Sequence, residues 1–123
     1  MALLPAASEN SAVQAILVAS TTYYLSLHTA SPGTTGANEV TGGSYARQAI
    51  TFGTASGGVA TSTDGQTFSS MPAESGGVPY FGLWTAVTGG TYIGGGTTSG
   101  LSGAISSGTT ISFATGAVTA AIS

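Results

Sequence analysis

From Thr22 onward the chain is a succession of short runs in which apolar and polar residues alternate, each closed by a turn rich in Gly, Ser, Thr or Pro. A period of two places alternate side chains on opposite faces of a strand, and turn signals every 8–12 residues keep the strands short. That pattern predicts a mostly β fold, an antiparallel β-sandwich or jelly-roll-like domain. Thr22–His28 sets Tyr23, Leu25 and Leu27 against Tyr24, Ser26 and His28, a half-buried strand. Tyr45–Phe52 is a second, with Ala46, Gln48, Ile50 and Phe52 sharing a face. Shorter strands are expected at 58–62 and 66–69, divided by the Thr63-Asp64-Gly65 turn signal. The strongest runs from Tyr80 to Val87, and Thr88-Gly89-Gly90 turns it into Thr91–Ile93 as a tight hairpin. Two more close the chain at 109–113 and 117–122. The stretch 89–108 is low in complexity and reads as exposed turns and flexible loops. Leu25, Leu27, Phe52, Phe81, Trp84 and Phe113 are the expected core.

Residues 8–20 carry the one helical pattern. Ser8, Asn10 or Ser11 is its expected cap, with Glu9 at the positive end of the dipole. Ala12, Ile16 and Ala19 share a face, flanked by Val13 and Leu17. This gives an N-terminal arm and helix over residues 1–20 and a β domain over 21–123, in a chain of 123 residues, a common size for one core.

Only five residues carry charge, Glu9, Glu39, Arg47, Asp64 and Glu74, and His28 is the one imidazole. Soluble domains average about 25% charged residues; here the share is 4%. So little charge gives little protection against association, and points to a protein held in a larger assembly. A net charge of −3 with one cation leaves no basic patch for nucleic acid. The apolar run 12–19 is shorter than a bilayer span, and the N-terminus lacks the basic region of a signal peptide. The chain is therefore read as made in a cytoplasm, with no membrane partner. Without cysteine there is no disulfide or thiolate metal site.

The same poverty empties the search for chemistry. A catalytic triad would have to use His28 and Asp64, and no G-x-S-x-G elbow is present. His28 reads instead as a strand-end histidine bonded to a loop or facing solvent. The four acids are scattered over separate loops, no D-x-D-x-D calcium spacing appears, and Gly94-Gly95-Gly96 is followed by no phosphate-loop Lys. No enzyme activity and no cofactor or metal are expected. Tyr80, Phe81, Trp84 and Tyr92 have the chemistry of a sugar-stacking platform, but inside alternating strands they read first as packing residues. Glu39 and Arg47 stand apart. The lone arginine follows an acid by eight residues on a core-like strand, and is read as a structural ion pair with Glu39, as an inter-subunit contact, or as exposed.

Tyr24-Leu-Ser-Leu-His-Thr-Ala-Ser-Pro-Gly33, Asn38-Glu-Val40, Gly42-Gly-Ser-Tyr-Ala-Arg-Gln48, Thr51-Phe52 and Phe81-Gly-Leu-Trp84 resemble a family of small virion proteins of tailed bacteriophages and prophages, notably those of actinobacteria. Its members are labelled tail fibre or minor structural proteins, and some related proteins decorate capsids. The resemblance covers nearly the whole chain, and its distinctive part is the block Glu-Val-x-Gly-Gly-x-Tyr-Ala-Arg. It implies a non-enzymatic virion protein whose partners are the major capsid protein or tail proteins. A short domain without coiled coil or long repeat favours capsid decoration on the outer head surface. A tail fibre module is the alternative, and a carbohydrate-binding domain a further one. The expected assembly is a homo-oligomer, a trimer being one form, with Leu3, Leu4, Val13, Ile16 and Leu17 as assembly contacts.

Overall fold

The computed structural model describes residues 6–121. The fold is mostly β, with antiparallel sheets and one short helix, as the alternation predicts. The elements in order are α1 (Ala6–Ile16), β1 (Thr22–His28), β2 (Gln48–Thr51), β3 (Val59–Thr61), β4 (Gln66–Met71), β5 (Tyr80–Trp84), β6 (Tyr92–Thr97), β7 (Thr109–Phe113) and β8 (Thr119–Ala121). They form two compact units, and the chain passes between the two several times.

The first unit holds the described residues up to Thr22, Ile50–Gln66, and the chain from Phe113 onward. β3 and β8 pair antiparallel, with Ala60 opposite Ala120. Beyond them the Ser62 N–H bonds Val118 O at 2.9 Å, and Gly53 N–H bonds Thr61 O at 3.0 Å. The Ser62 hydroxyl accepts from the backbone of Gly116 and Val118, so this buried polar side chain is satisfied. Helix α1 packs on β3. Asn10, a candidate cap, lies inside the helix instead, and its Oδ1 accepts the Gly58 N–H at 2.7 Å. The inward face is formed by Val13 and Leu17, both buried, whereas Ile16 is 47% exposed. Ala12, Val13, Ala15 and Ile16 of this helix, with Leu17 just after it, are interrupted only by Gln14, so periodicity alone could not select the buried face. The helix ends earlier than expected. After Ile16, Ser20 takes a left-handed φ of 65° and Thr21 N–H turns back to Val18 O.

The second unit holds Tyr23–Ala49 and Thr67–Ser112. Its main sheet has the order β2-β1-β5-β6, and β4 pairs with β7 in a second. β1 and β5 run antiparallel with Ser26 opposite Gly82 and Tyr24 opposite Trp84. The half-buried reading of β1 fails at its C-terminal half, where Leu25, Ser26, Leu27 and His28 are all fully buried. Both faces are covered there, a pattern that alternation does not anticipate.

β6 is the largest departure from expectation. Gly94, Gly95 and Gly96 belong to a strand, opposite Leu83, Gly82 and Phe81, with a register shift just before them between Leu83 and Trp84. A side chain at Gly95 would run into the Phe81 carbonyl and the Tyr92 hydroxyl, so glycine is what lets the two backbones meet. β2 is also shorter than predicted. Tyr45, Ala46 and Arg47 lie outside it, because the side chains of Tyr45 and Arg47 are drawn into a separate cluster.

Candidate functional site

That cluster lies wholly in the second unit and is built around the lone arginine. The Arg47 Nε and Nη2 donate to the two Glu39 carboxylate oxygens at 3.0 and 2.9 Å, a bidentate pair. Nη1 donates to the backbone oxygens of Ala86 and Gly89 at 3.0 and 2.9 Å. The guanidinium carbon sits 3.7 Å from the centre of a Trp84 ring. One planar cation thus joins the loop after β1 to the β5–β6 hairpin, using its fork geometry and its flat face together. The two charged side chains are only 9% and 20% exposed for Arg47 and Glu39.

Tyr45 completes the arrangement. Its hydroxyl donates to Glu39 Oε2 at 2.8 Å and accepts the Leu27 N–H at 3.0 Å, while its ring stacks on Phe68 at 5.9 Å between centroids. Burial, with the nearby Glu39 carboxylate, pushes the phenol well above its usual range, so it stays a donor. Burial alone would raise the Glu39 carboxyl, but hydrogen bonds from Arg47 and Tyr45 and the Arg47 charge outweigh it, and the net shift is downward. Tyr45→Phe removes the partner of the Leu27 amide and one donor to Glu39. A loss of about 1–3 kcal/mol in unfolding free energy by denaturant titration is expected. Since the folded Glu39 value lies below the ordinary 4.5, its contribution is present above that pH and is lost as pH falls through the lower folded value.

On the sheet face, Trp84 Nε1–H donates to Ser26 Oγ at 2.9 Å, and Ser26 Oγ lies 2.7 Å from His28 Nε2. His28 Nδ1 lies 2.7 Å from the Ala37 carbonyl. A carbonyl only accepts, so Nδ1 carries the hydrogen and Nε2 accepts from the Ser26 hydroxyl. Burial keeps the His28 pKa below the ordinary 6.5, against opposing contributions from the Ala37 carbonyl and Glu39. Neutral imidazole is the folded form, and stability from this group declines as pH drops below 6.5 toward the lower folded value. Ser26 and His28 have the contact of a nucleophile and its base, yet both are fully buried and Nδ1 meets a carbonyl, not a carboxylate. A substrate has no access to them. Among the described residues, no group of three or more His, Cys, Asp or Glu is placed to hold a metal ion. No helix among them is long and apolar enough to cross a membrane.

The other sequence-derived residues divide clearly. Leu25, Leu27 and Phe52 are fully buried. Phe81, Trp84 and Phe113, also expected in the core, are only half-buried. The strand beside Phe81 presents Gly96, which has no side chain to cover the ring, and Trp84 is covered by Arg47 in place of apolar neighbours. Trp84 also meets the Tyr92 ring edge-on at 5.2 Å, so it is engaged within the protein. Of the residues read as assembly contacts, Val13 and Leu17 bury their apolar surface within the fold, Ile16 is exposed, and Leu3 and Leu4 lie outside the described residues. Sequence reasoning did not single out Tyr45 and Ser26. Tyr45 was within reach, since it stands in the same distinctive block as Glu39 and Arg47.

The geometry gives that block a physical meaning: Tyr45 and Arg47 converge on the Glu39 carboxylate. A family model described as Podophage GP4 fiber I protein gp80 matches residues 5–121, nearly the full length. No curated protein matches the chain. The match covers almost the whole chain, and the chain belongs to this family of phage fibre proteins.

Proposed function

We propose that this protein is a non-enzymatic structural subunit of a phage fibre, assembled with copies of itself and with tail proteins of the virion. The observation that carries the reading is the match of a fibre-protein family to residues 5–121. Two features of the chain support it. Charge is sparse, and the one cation is engaged inside the fold, which leaves a hydroxyl- and glycine-rich surface with few ionic groups, suited to permanent contacts. Ile16, Val18 and Val87 are exposed apolar residues that an assembly would cover. A capsid decoration protein is the other virion role open to such a domain, and the fibre description of the family favours the tail.

Imaging of particles that carry a labelled copy tests the reading. Density at the tail, in a small number of copies set by tail symmetry, is expected. Label spread over the whole head would instead make the protein a capsid decoration. Attachment without charge pairs is also expected to persist in molar salt, because screening weakens only ionic contacts.

A further inference from the structure

β6 ends the order β2-β1-β5-β6, so among the described residues no strand pairs with its outer side. Its ladder with β5 fixes where its backbone groups point. Thr98 N–H donates to Pro79 O at 2.8 Å, which makes these two a hydrogen-bonded pair. Antiparallel pairs alternate between bonded and non-bonded, so Gly96 opposite Phe81 and Gly94 opposite Leu83 bond inward. Gly95 and Thr97, opposite Gly82 and Tyr80, then turn their N–H and C=O groups outward. Exposure follows the same alternation: Gly95 and Thr97 are exposed, Gly94 and Gly96 half-buried.

A bare edge is a template for another strand, and soluble proteins blunt theirs with charge, proline or extreme shortness. β6 runs for six residues, and its sequence neighbourhood is unguarded. From Ser75 to Ser123 the chain has no Asp, Glu, Lys, Arg or His, and no proline follows Pro79. The register shift at Ile93 is the one irregularity, and it confines the regular run to Gly94–Thr97. The opposite edge differs, since the last residue of β2 already accepts the Thr63 N–H on its carbonyl at 2.9 Å. Phe81 gives a second, independent sign. Its ring lies across Gly96, with ring carbons 3.1 and 3.3 Å from where a side chain would begin, and it stays only half-buried.

We propose that β6 is a self-association edge, pairing antiparallel with β6 of a second copy about a two-fold axis at Gly96. In that register Gly95 of each copy faces Thr97 of the other, about four backbone hydrogen bonds form, and two four-stranded sheets become one. The paired Gly96 residues bring no side chains, so the two Phe81 rings close over them and cover the surface each leaves open alone. A like copy suits this edge because a two-fold axis sets the same groups against each other, and here none of them is charged. The axis occupies β6 of both copies, so association through it stops at a pair. The proposal rests on the fibre reading only for the supply of copies.

The purified intact protein tests it without a virion, so a different place in the particle would overturn the fibre reading and leave this result untouched. Sedimentation over a concentration series is expected to show a monomer–dimer equilibrium. Hydrogen exchange followed by NMR should separate the amides by position: Gly94 and Gly96 protected throughout, Gly95 and Thr97 only where the dimer prevails. Thr97→Pro removes one outward donor from each copy and spares the ladder with β5. It should weaken the dimer roughly tenfold or more, with the far-ultraviolet circular dichroism unchanged. A monomer at every concentration overturns the proposal and assigns the edge to some other virion protein. Gly95 and Thr97 amides that exchange equally fast in both states overturn it too, as does undiminished pairing of a folded Thr97→Pro. The wild-type exchange pattern decides by itself if the variant does not fold.

Discussion

Replacing Arg47 by Ala is expected to lower the unfolding free energy by about 3–5 kcal/mol, the range for breaking one side of a buried ion pair. The loss has three parts in this protein. Glu39 is left mostly buried and without its cation, the carbonyls of Ala86 and Gly89 lose a shared donor, and the Trp84 ring loses its cover. Arg47→Lys should recover only a minor share, because an ammonium group cannot give two parallel bonds to Glu39 while lying flat on an indole. Denaturant unfolding followed by circular dichroism measures both, and avoids a tryptophan signal that the substitution itself perturbs. A double-mutant cycle with Glu39→Gln should show strong coupling, the two single losses being far from additive. Equal stability of wild type and Arg47→Ala would mean that the cluster contributes nothing net.

The second large effect is expected at Gly77. Here the backbone takes a φ of +71°, and an added side chain would collide with the carbonyl oxygens of Leu101 and Gly103. Those oxygens cannot withdraw easily. The adjoining chain is fixed by Val78 N–H to Leu101 O at 2.8 Å, and by the reciprocal pair between Glu74 and Ile105. Backbone strain of about 1–3 kcal/mol and overpacking of similar size make Gly77→Ala strongly destabilising. Gly76 supplies the control. It has no atom within 4 Å of the same added carbon and is absent from the positive-φ glycines, so Gly76→Ala should change stability by less than about 0.5 kcal/mol. A thermal melt of the two neighbouring variants reads the contrast directly.

These two sites show what the sequence reveals and what it hides. Strands whose faces differ chemically were legible: β1, β5 and β7 stand where alternation put them. β6 was not, because Gly94–Gly96 has no side chains to alternate, and its strand character comes from the close approach of a neighbouring backbone. The helix was legible as a helix, but its inward face was not, since its last turn and the residue after it are almost unbroken in apolar residues. Glu39 and Arg47 were marked by rarity, and they meet. Their partners were hidden for a geometric reason. Trp84 lies 37 residues beyond Arg47 and the Ala86 and Gly89 carbonyls farther still, and only the β5–β6 hairpin brings them to the guanidinium. A buried serine such as Ser26 cannot be told by type from the many exposed ones.

The enclosure of Arg47 also bears on proteolysis. Trypsin cuts only after a cationic side chain that can enter its specificity pocket, and the entire chain offers one such side chain, with 9% of its surface accessible. The folded protein should therefore resist digestion almost completely. Any cut must follow an opening of the segment around residue 47 and yield just two fragments, 1–47 and 48–123. The rate of that single cleavage becomes a direct clock for how often the arginine leaves its nest.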